Sequence, residues 1–162
     1  MTKEQLLEDL KSFLKDATKN YKLPEALQKG DTEQIFRAPD IYKMRLPNSK
    51  DAKKKTPYII AQYVTGKDYQ KQLQQSQSYA IVRLIFSVYN EDEEEGALSL
   101  LNVMETVRLE LMKQVRIGKC FKLDTEAGVE SFAYPEDTAP YYAGEMIFDV
   151  ILPPTEREVN YG

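Results

Sequence analysis

The thirteen residues from Ser78 to Asn90 contain no glycine or proline and are crowded with β-branched and aromatic side chains: Tyr79, Ile81, Val82, Ile85, Phe86, Val88 and Tyr89. Such a run favours extended backbone. At roughly 3.3 Å per residue it reaches about 40 Å, enough to cross a small domain. Its apolar residues fall on both faces. A strand of this kind belongs in the middle of a sheet, or it offers its second face to a partner.

The segments on either side supply the rest of a fold. Near the start, Thr2 and Gln5 have the spacing of a capping box. Leu6, Leu7, Leu10, Phe13, Leu14 and Ala17 then recur at helical steps, which predicts a helix over Lys3 to Ala17. Glu25 to Gly30 reads as a short helical turn. Tyr42 to Leu46 alternates as a half-buried strand, and Pro57 opens another over Tyr58 to Val64. After the long strand, Ala97, Leu100, Leu101, Met104, Val107, Leu111 and Val115 trace the apolar stripe of a second helix, with Gly118 as its left-handed cap. On this reading Leu101 and Val107 both face the core, and aspartate at either unfolds the chain. Three strands follow: Lys119 to Asp124, Gly128 to Tyr134, and Tyr141 to Leu152.

The predicted order is α-β-β-β-α-β-β-β. Short or polar connections between consecutive strands predict antiparallel pairing. The expected fold is α+β, a mostly antiparallel sheet with two main helices on one face. Residues 1–152 form a single domain, and residues 153–162 a polar C-terminal tail.

Composition narrows the chemistry. The chain of 162 residues carries 22 basic and 26 acidic side chains, a net charge of −4, so no global field draws it onto nucleic acid. It has no histidine, which excludes Ser-His-Asp and Cys-His catalysis, and imidazole zinc sites, within this chain alone. Cys120 is its one cysteine, so no intrachain disulfide can form, and a reducing compartment is the simplest reading. Neither a secretory leader nor an apolar run of membrane-spanning length is legible. No cofactor or metal is expected. Glu91, Glu93 and Glu95 could begin a calcium loop with Gly96 in sixth place, but Asn102 then stands where a bidentate glutamate is needed.

Two charge clusters and two polar connections remain as contact candidates. Lys53, Lys54 and Lys55 lie in the connection Asn48 to Thr56. Tyr69 and Gln72 lie in the connection Thr65 to Gln77. Both connections are expected to project towards a neighbouring subunit or partner. Glu91, Asp92, Glu93, Glu94 and Glu95 precede the second helix, where carboxylates complement its positive end. They read either as a solvated helix start or as a protein-contact or pore-facing cluster. Eleven tyrosines and no tryptophan suit interfaces and plain sheet edges equally.

The order of certain stretches adds a family. Pro57-Tyr58-Ile59-Ile60-Ala61-Gln62 comes first, then a long strand ending Ser87-Val88-Tyr89-Asn90-Glu91-Asp92, with acidic residues and Gly96. The helix follows from Ala97-Leu98-Ser99-Leu100-Leu101-Asn102 to Arg108-Leu109-Glu110-Leu111. The end runs from Tyr142-Ala143-Gly144-Glu145-Met146-Ile147-Phe148 to Leu152-Pro153-Pro154-Thr155-Glu156-Arg157-Glu158. From about Thr56 to Glu158 the chain resembles the tail terminator, or tail completion, proteins of long-tailed bacteriophages. The resemblance implies a structural protein of the virion, built in the bacterial cytoplasm. It implies a ring, usually of six copies, that caps the tail tube, ends its growth and offers a docking face to the head connector. DNA passes such a ring without specific binding. The family brings no catalytic residues.

Two other readings stand beside it. One is a different ring protein of the phage neck, such as a stopper or adaptor. The other is a cytosolic subunit or regulator whose active site needs a partner chain.

Overall fold

The computed structural model describes residues 2–70 and 75–154. Helix α1 (Lys3–Thr18) opens the chain, and the short strands β1 (Leu23–Pro24) and β2 (Phe36–Arg37) pair as a separate ribbon. Then come β3 (Asp40–Lys43), the 3-10 helix η1 (Ser49–Lys55), β4 (Tyr58–Tyr69), β5 (Gln77–Tyr89) and helix α2 (Glu93–Gln114). The strands β6 (Arg116–Ile117), β7 (Phe121–Leu123), β8 (Val129–Ala133) and β9 (Tyr141–Leu152) complete it. The fold is α+β, as the sequence predicts. The element order departs from the expected one through β1, β2 and β6, strands too short to leave a pattern.

The main sheet runs β3-β4-β5-β9-β7-β6, with β8 also paired to β9. The long apolar run is its central strand. Ser78 pairs with Leu152 and Tyr89 with Tyr141, so β5 and β9 stay in register from end to end. On its other side β5 pairs with β4, from Tyr58 opposite Ser87 to Tyr69 opposite Gln77, through one irregularity at Tyr63 to Thr65.

Because side chains alternate across a sheet, this double register sorts the residues into two faces. Ala80, Val82, Leu84 and Phe86 of β5 stand with Met146, Phe148 and Val150 of β9 and with Ile59 and Ala61 of β4, all nearly inaccessible. Leu6, Leu10 and Leu14 of α1, and Leu100, Val103, Val107 and Leu111 of α2, join them in one core cluster. Both helices therefore cover the same face. The α1 start is capped as expected at Thr2, whose hydroxyl accepts the Gln5 amide at 3.1 Å, while the Gln5 side chain turns instead to Asp9 at 2.9 Å.

Five expectations need correction. Leu101 is not in the core: it is 52% exposed, on the outer side of α2, whereas Val107 is fully buried. Thr65 to Gln77 is not one long loop, because Thr65 to Tyr69 extends β4 and Gln77 begins β5. Consecutive strands are not all antiparallel, since β3 lies parallel to β4; the connection 44–57, which holds η1, is long enough for that crossover. Glu25 to Gly30 forms no helical turn. Finally, α2 ends at Val115, in a positive-φ conformation (φ 62°) with its amide on the Leu111 carbonyl, while Gly118 serves the turn between β6 and β7.

These faces give a direct test. Val107→Asp places an unpaired carboxylate among apolar side chains and is expected to cost about 3 to 5 kcal/mol, enough to unfold a marginal domain. Leu101→Asp is expected to stay within about 0.5 kcal/mol. Thermal melts of the two variants in dilute solution check the assignment; equal losses would place Leu101 back in the core.

Candidate functional site

The two charge clusters meet at one end of the sheet, where β5 leaves and β9 enters. Tyr89 and Tyr141 face each other across the strands with ring centroids 5.4 Å apart. The Lys53 ammonium stands 5.3 Å from the centre of the Tyr141 ring, and the Tyr89 hydroxyl donates to Glu91. Lys-rich η1 and the acidic start of α2 are thus tied to one tyrosine pair. Beside it is a cleft of about 580 Å³ that Lys29, Lys50, Lys53, Lys54 and Tyr141 help to line.

The individual lysines differ. Lys55 turns back to the Pro47 carbonyl. Lys54 lies 3.8 Å from Asp51, and both are well exposed. Only Lys53 and Lys54 of the three line the cleft. No aromatic residue stands among these lysines in the sequence; Tyr141 lies far away in the chain and reaches Lys53 only through the fold. Arg37 braces the segment from inside. Its guanidinium donates to the Lys55 carbonyl at 3.1 Å and pairs with Asp40 at 2.9 Å.

The acidic run is mostly helix. Asp92 is the N-cap, and its side chain accepts the amides of Glu94 and Glu95 at 3.1 and 3.0 Å. Asn90 in turn accepts the Asp92 amide at 2.9 Å. Glu93, Glu94 and Glu95 fill the first turn of α2 and are exposed. Gly96 belongs to packing. A Cβ there would overlap the Tyr142 ring, 2.7 Å from Cδ2. Tyr142 also lines a groove of about 360 Å³ with Ala97, Leu101 and Tyr134, and its buried hydroxyl has no hydrogen-bond partner among the described residues. Burial, helped by Glu93 and Asp137, holds that phenol above its ordinary pKa.

No described helix lies over the second face of the sheet. Tyr79, Ile81, Arg83 and Ile85 of β5 alternate outward there, beside Glu145, Ile147, Asp149 and Ile151 of β9. Arg83 donates to the Gln62 side chain at 2.9 Å, and Tyr134 donates to Glu145 at 2.9 Å. Towards the β4–β5 hairpin the face hollows into a cavity of about 590 Å³, with Lys67, Tyr69, Tyr79, Asp124 and Asp149 in its lining. Burial, and then the Asp124 carboxylate, raise the Asp149 pKa. Tyr69 sits here, 37% exposed, edge-on to Tyr79 and 4.8 Å from the Lys67 ammonium. Gln72 lies outside the described residues. The sequence pointed to this face only through the apolar residues on both sides of β5.

Tyr89 and Tyr134 are both pushed up to about 12, by burial first and then by hydrogen bonds to Glu91 and Glu145. At neutral pH they are hydrogen-bond donors, not bases. No group of three or more His, Cys, Asp or Glu side chains among the described residues could hold a metal ion. No described helix is long and apolar enough to cross a membrane. In comparisons with known proteins, no family model and no curated protein matches the chain.

Two outcomes follow from this geometry. Gly96→Ala gains helix propensity but overlaps the Tyr142 ring, so a net loss of about 1 to 3 kcal/mol is expected in urea unfolding. Adding Tyr142→Ala is expected to make the Gly96→Ala step harmless. The second concerns alkaline pH. Between pH 10 and about 12 the unfolded Tyr89 phenol ionises while the folded one does not. The stability it supplies is therefore intact below pH 10 and is lost as the pH rises towards 12. Tyr89→Phe is expected to flatten that loss, read as the urea midpoint across the same pH window.

Proposed function

We propose that this chain is a structural protein that assembles with copies of itself into a closed ring on the end of a phage tail tube. The observation that carries the reading is the helix-free face of β4, β5 and β9. Its partly exposed Ile81, Ile85, Ile147 and Ile151 stand in rows between charged and aromatic side chains. Interface centres of this composition, apolar and aromatic with arginine, are common between proteins. The resemblance over Thr56 to Glu158 supplies the biological setting and a preferred ring number of six.

In this role the chain acts by fit and not by turnover. Tube subunits add to an exposed end because each addition buries surface. A ring that matches that end, and offers no equivalent surface beyond, stops addition. It has to bind the end better than the next tube subunit at its working concentration, and each ~1.4 kcal/mol of advantage is a factor of ten in occupancy. A ring also needs a contact that repeats and closes, with different patches meeting head to tail. The open sheet face and the Lys53–Glu91 end are two such patches. The far side of the ring then docks the head connector, and DNA passes through without sequence reading.

Removing the gene is expected to leave heads and tubes unjoined, with tubes of irregular, excessive length in negative-stain micrographs of lysates. Tails of normal length without heads would favour a neck adaptor instead. Normal infectious particles would refute both. At the protein level, Ile81→Asp with Ile151→Asp is expected to keep the melting temperature close to that of the parent while abolishing binding to tube ends. Undiminished binding would remove the sheet face from the argument.

A further inference from the structure

The outer side of α2 carries a second apolar surface, separate from the sheet face. Leu98, Leu101, Leu109 and Met112 are 46%, 52%, 52% and 41% exposed. With Glu105 between them they recur at steps of three, four, four and three residues, which keeps them on one side of the helix, away from the buried Leu100, Val103, Val107 and Leu111. That order of steps reads the same in both directions, with Glu105 at its midpoint.

We infer that this stripe is a two-fold contact to a second copy of the chain, α2 packed antiparallel on α2. A stripe symmetric about its own centre is self-complementary under a two-fold axis, where residue i meets j and j meets i. With the axis at Glu105, Leu98 meets Met112 of the other copy and Leu101 meets Leu109, so apolar residues face apolar residues on both sides of a central pair of Glu105 side chains, which the Arg108 side chains flank. The charges agree with the antiparallel choice. Arg108 now pairs with Glu105 of its own chain, and one helical turn from the axis it also reaches the Glu105 of the other copy. The acidic first turn, Glu93 to Glu95, lies close to Lys113 in the last turn of the neighbouring helix and level with Arg116 just beyond it. The helix dipoles also oppose each other favourably. A parallel pair would stack like charges at both ends. No residue of the open sheet face takes part, so this contact stands or falls independently of the ring. A single helix face per copy is a small interface, and a dimer with a micromolar dissociation constant is expected.

Sedimentation equilibrium of the purified full chain over a micromolar concentration series is expected to show reversible dimers. Leu101→Glu with Leu109→Glu is expected to raise the dissociation constant about 100-fold or more, by burying unpaired carboxylates, with an unchanged circular-dichroism melt in dilute solution. Glu105→Arg and Arg108→Glu each weaken the dimer, and the two together restore it. Register is read by oxidative cross-linking in a Cys120→Ser background. Glu105→Cys links to itself. Leu98→Cys links to a Met112→Cys chain but not to itself. The inference is overturned if the chain is monomeric throughout the series, if dimers persist after Leu101→Glu with Leu109→Glu, or if Leu98→Cys chains link to each other. Ile81→Asp with Ile151→Asp leaves these dimers intact, which separates the outcome from that of the ring.

Discussion

The in-phase pairing of β5 with β9 is the constraint on which the other parts depend. Over the whole span from Ser78–Leu152 to Tyr89–Tyr141 each residue of one strand stands beside one residue of the other. A slip of one strand by one residue would move every one of its side chains to the opposite face. Slipping β5 would carry Val82, Leu84 and Phe86 out of the helix-covered core and bring Arg83 and Ile85 in. The core cost of such a slip far exceeds anything a loop could return, so the pairing also sets where β5 hands the chain to α2 and where β9 begins. The meeting of Tyr89, Tyr141, Lys53 and Glu91 is a consequence of that alignment.

What could be read from the residues was what repeats. The α1 face, Leu6, Leu7, Leu10, Phe13 and Leu14, has one apolar side and no competitor, so its period was plain. In α2 the outer side is apolar as well. Leu98, Leu101, Leu109 and Met112 blur the period, and the adjacent Leu100 and Leu101 could not be told apart. The extension of β4 through Gly66, Lys67 and Asp68 was hidden because both faces of that stretch are exposed and its residues are those of loops. Its strand state comes from pairing with β5. Parallel pairing of β3 was invisible for a different reason: it is decided by the path of the connection through η1, which no local pattern records. Val115 at positive φ breaks a local preference, held there by its amide on Leu111 and its carbonyl on the Leu123 amide at 2.8 Å.

The candidate surfaces were legible to a similar degree. The lysine and glutamate clusters stood out as composition, but not that the fold brings them to one tyrosine pair. Nor did the sequence separate Lys55, which turns back to the Pro47 carbonyl, from Lys53 and Lys54 at the cleft. Interaction surfaces are assembled from distant segments, and a single chain read in order gives only their parts. The protein thus combines one well-covered sheet face with two surfaces, sheet and helix, on which apolar side chains stand partly exposed.

Strands β7 and β8 lie one after the other along the same edge of β9. Leu123 stands opposite Val150 and Val129 opposite Phe148, so residues 124–128 are extruded from what would otherwise be one continuous strand. Asp124 closes the extrusion by accepting the amides of Glu126 and Ala127, and Gly128 completes it at φ 83° with open space around its α-carbon. An uninterrupted strand here would be a long row of unpaired amides and carbonyls, a template for indefinite addition of further strands. The extrusion ends that row: β7 is paired on its outer side by β6, and β8 remains as one short open piece. A fold whose core rests on long paired strands thereby carries a safeguard against strand-to-strand addition, and an extruded loop of this kind can change length without disturbing the register of β9 on which everything else rests.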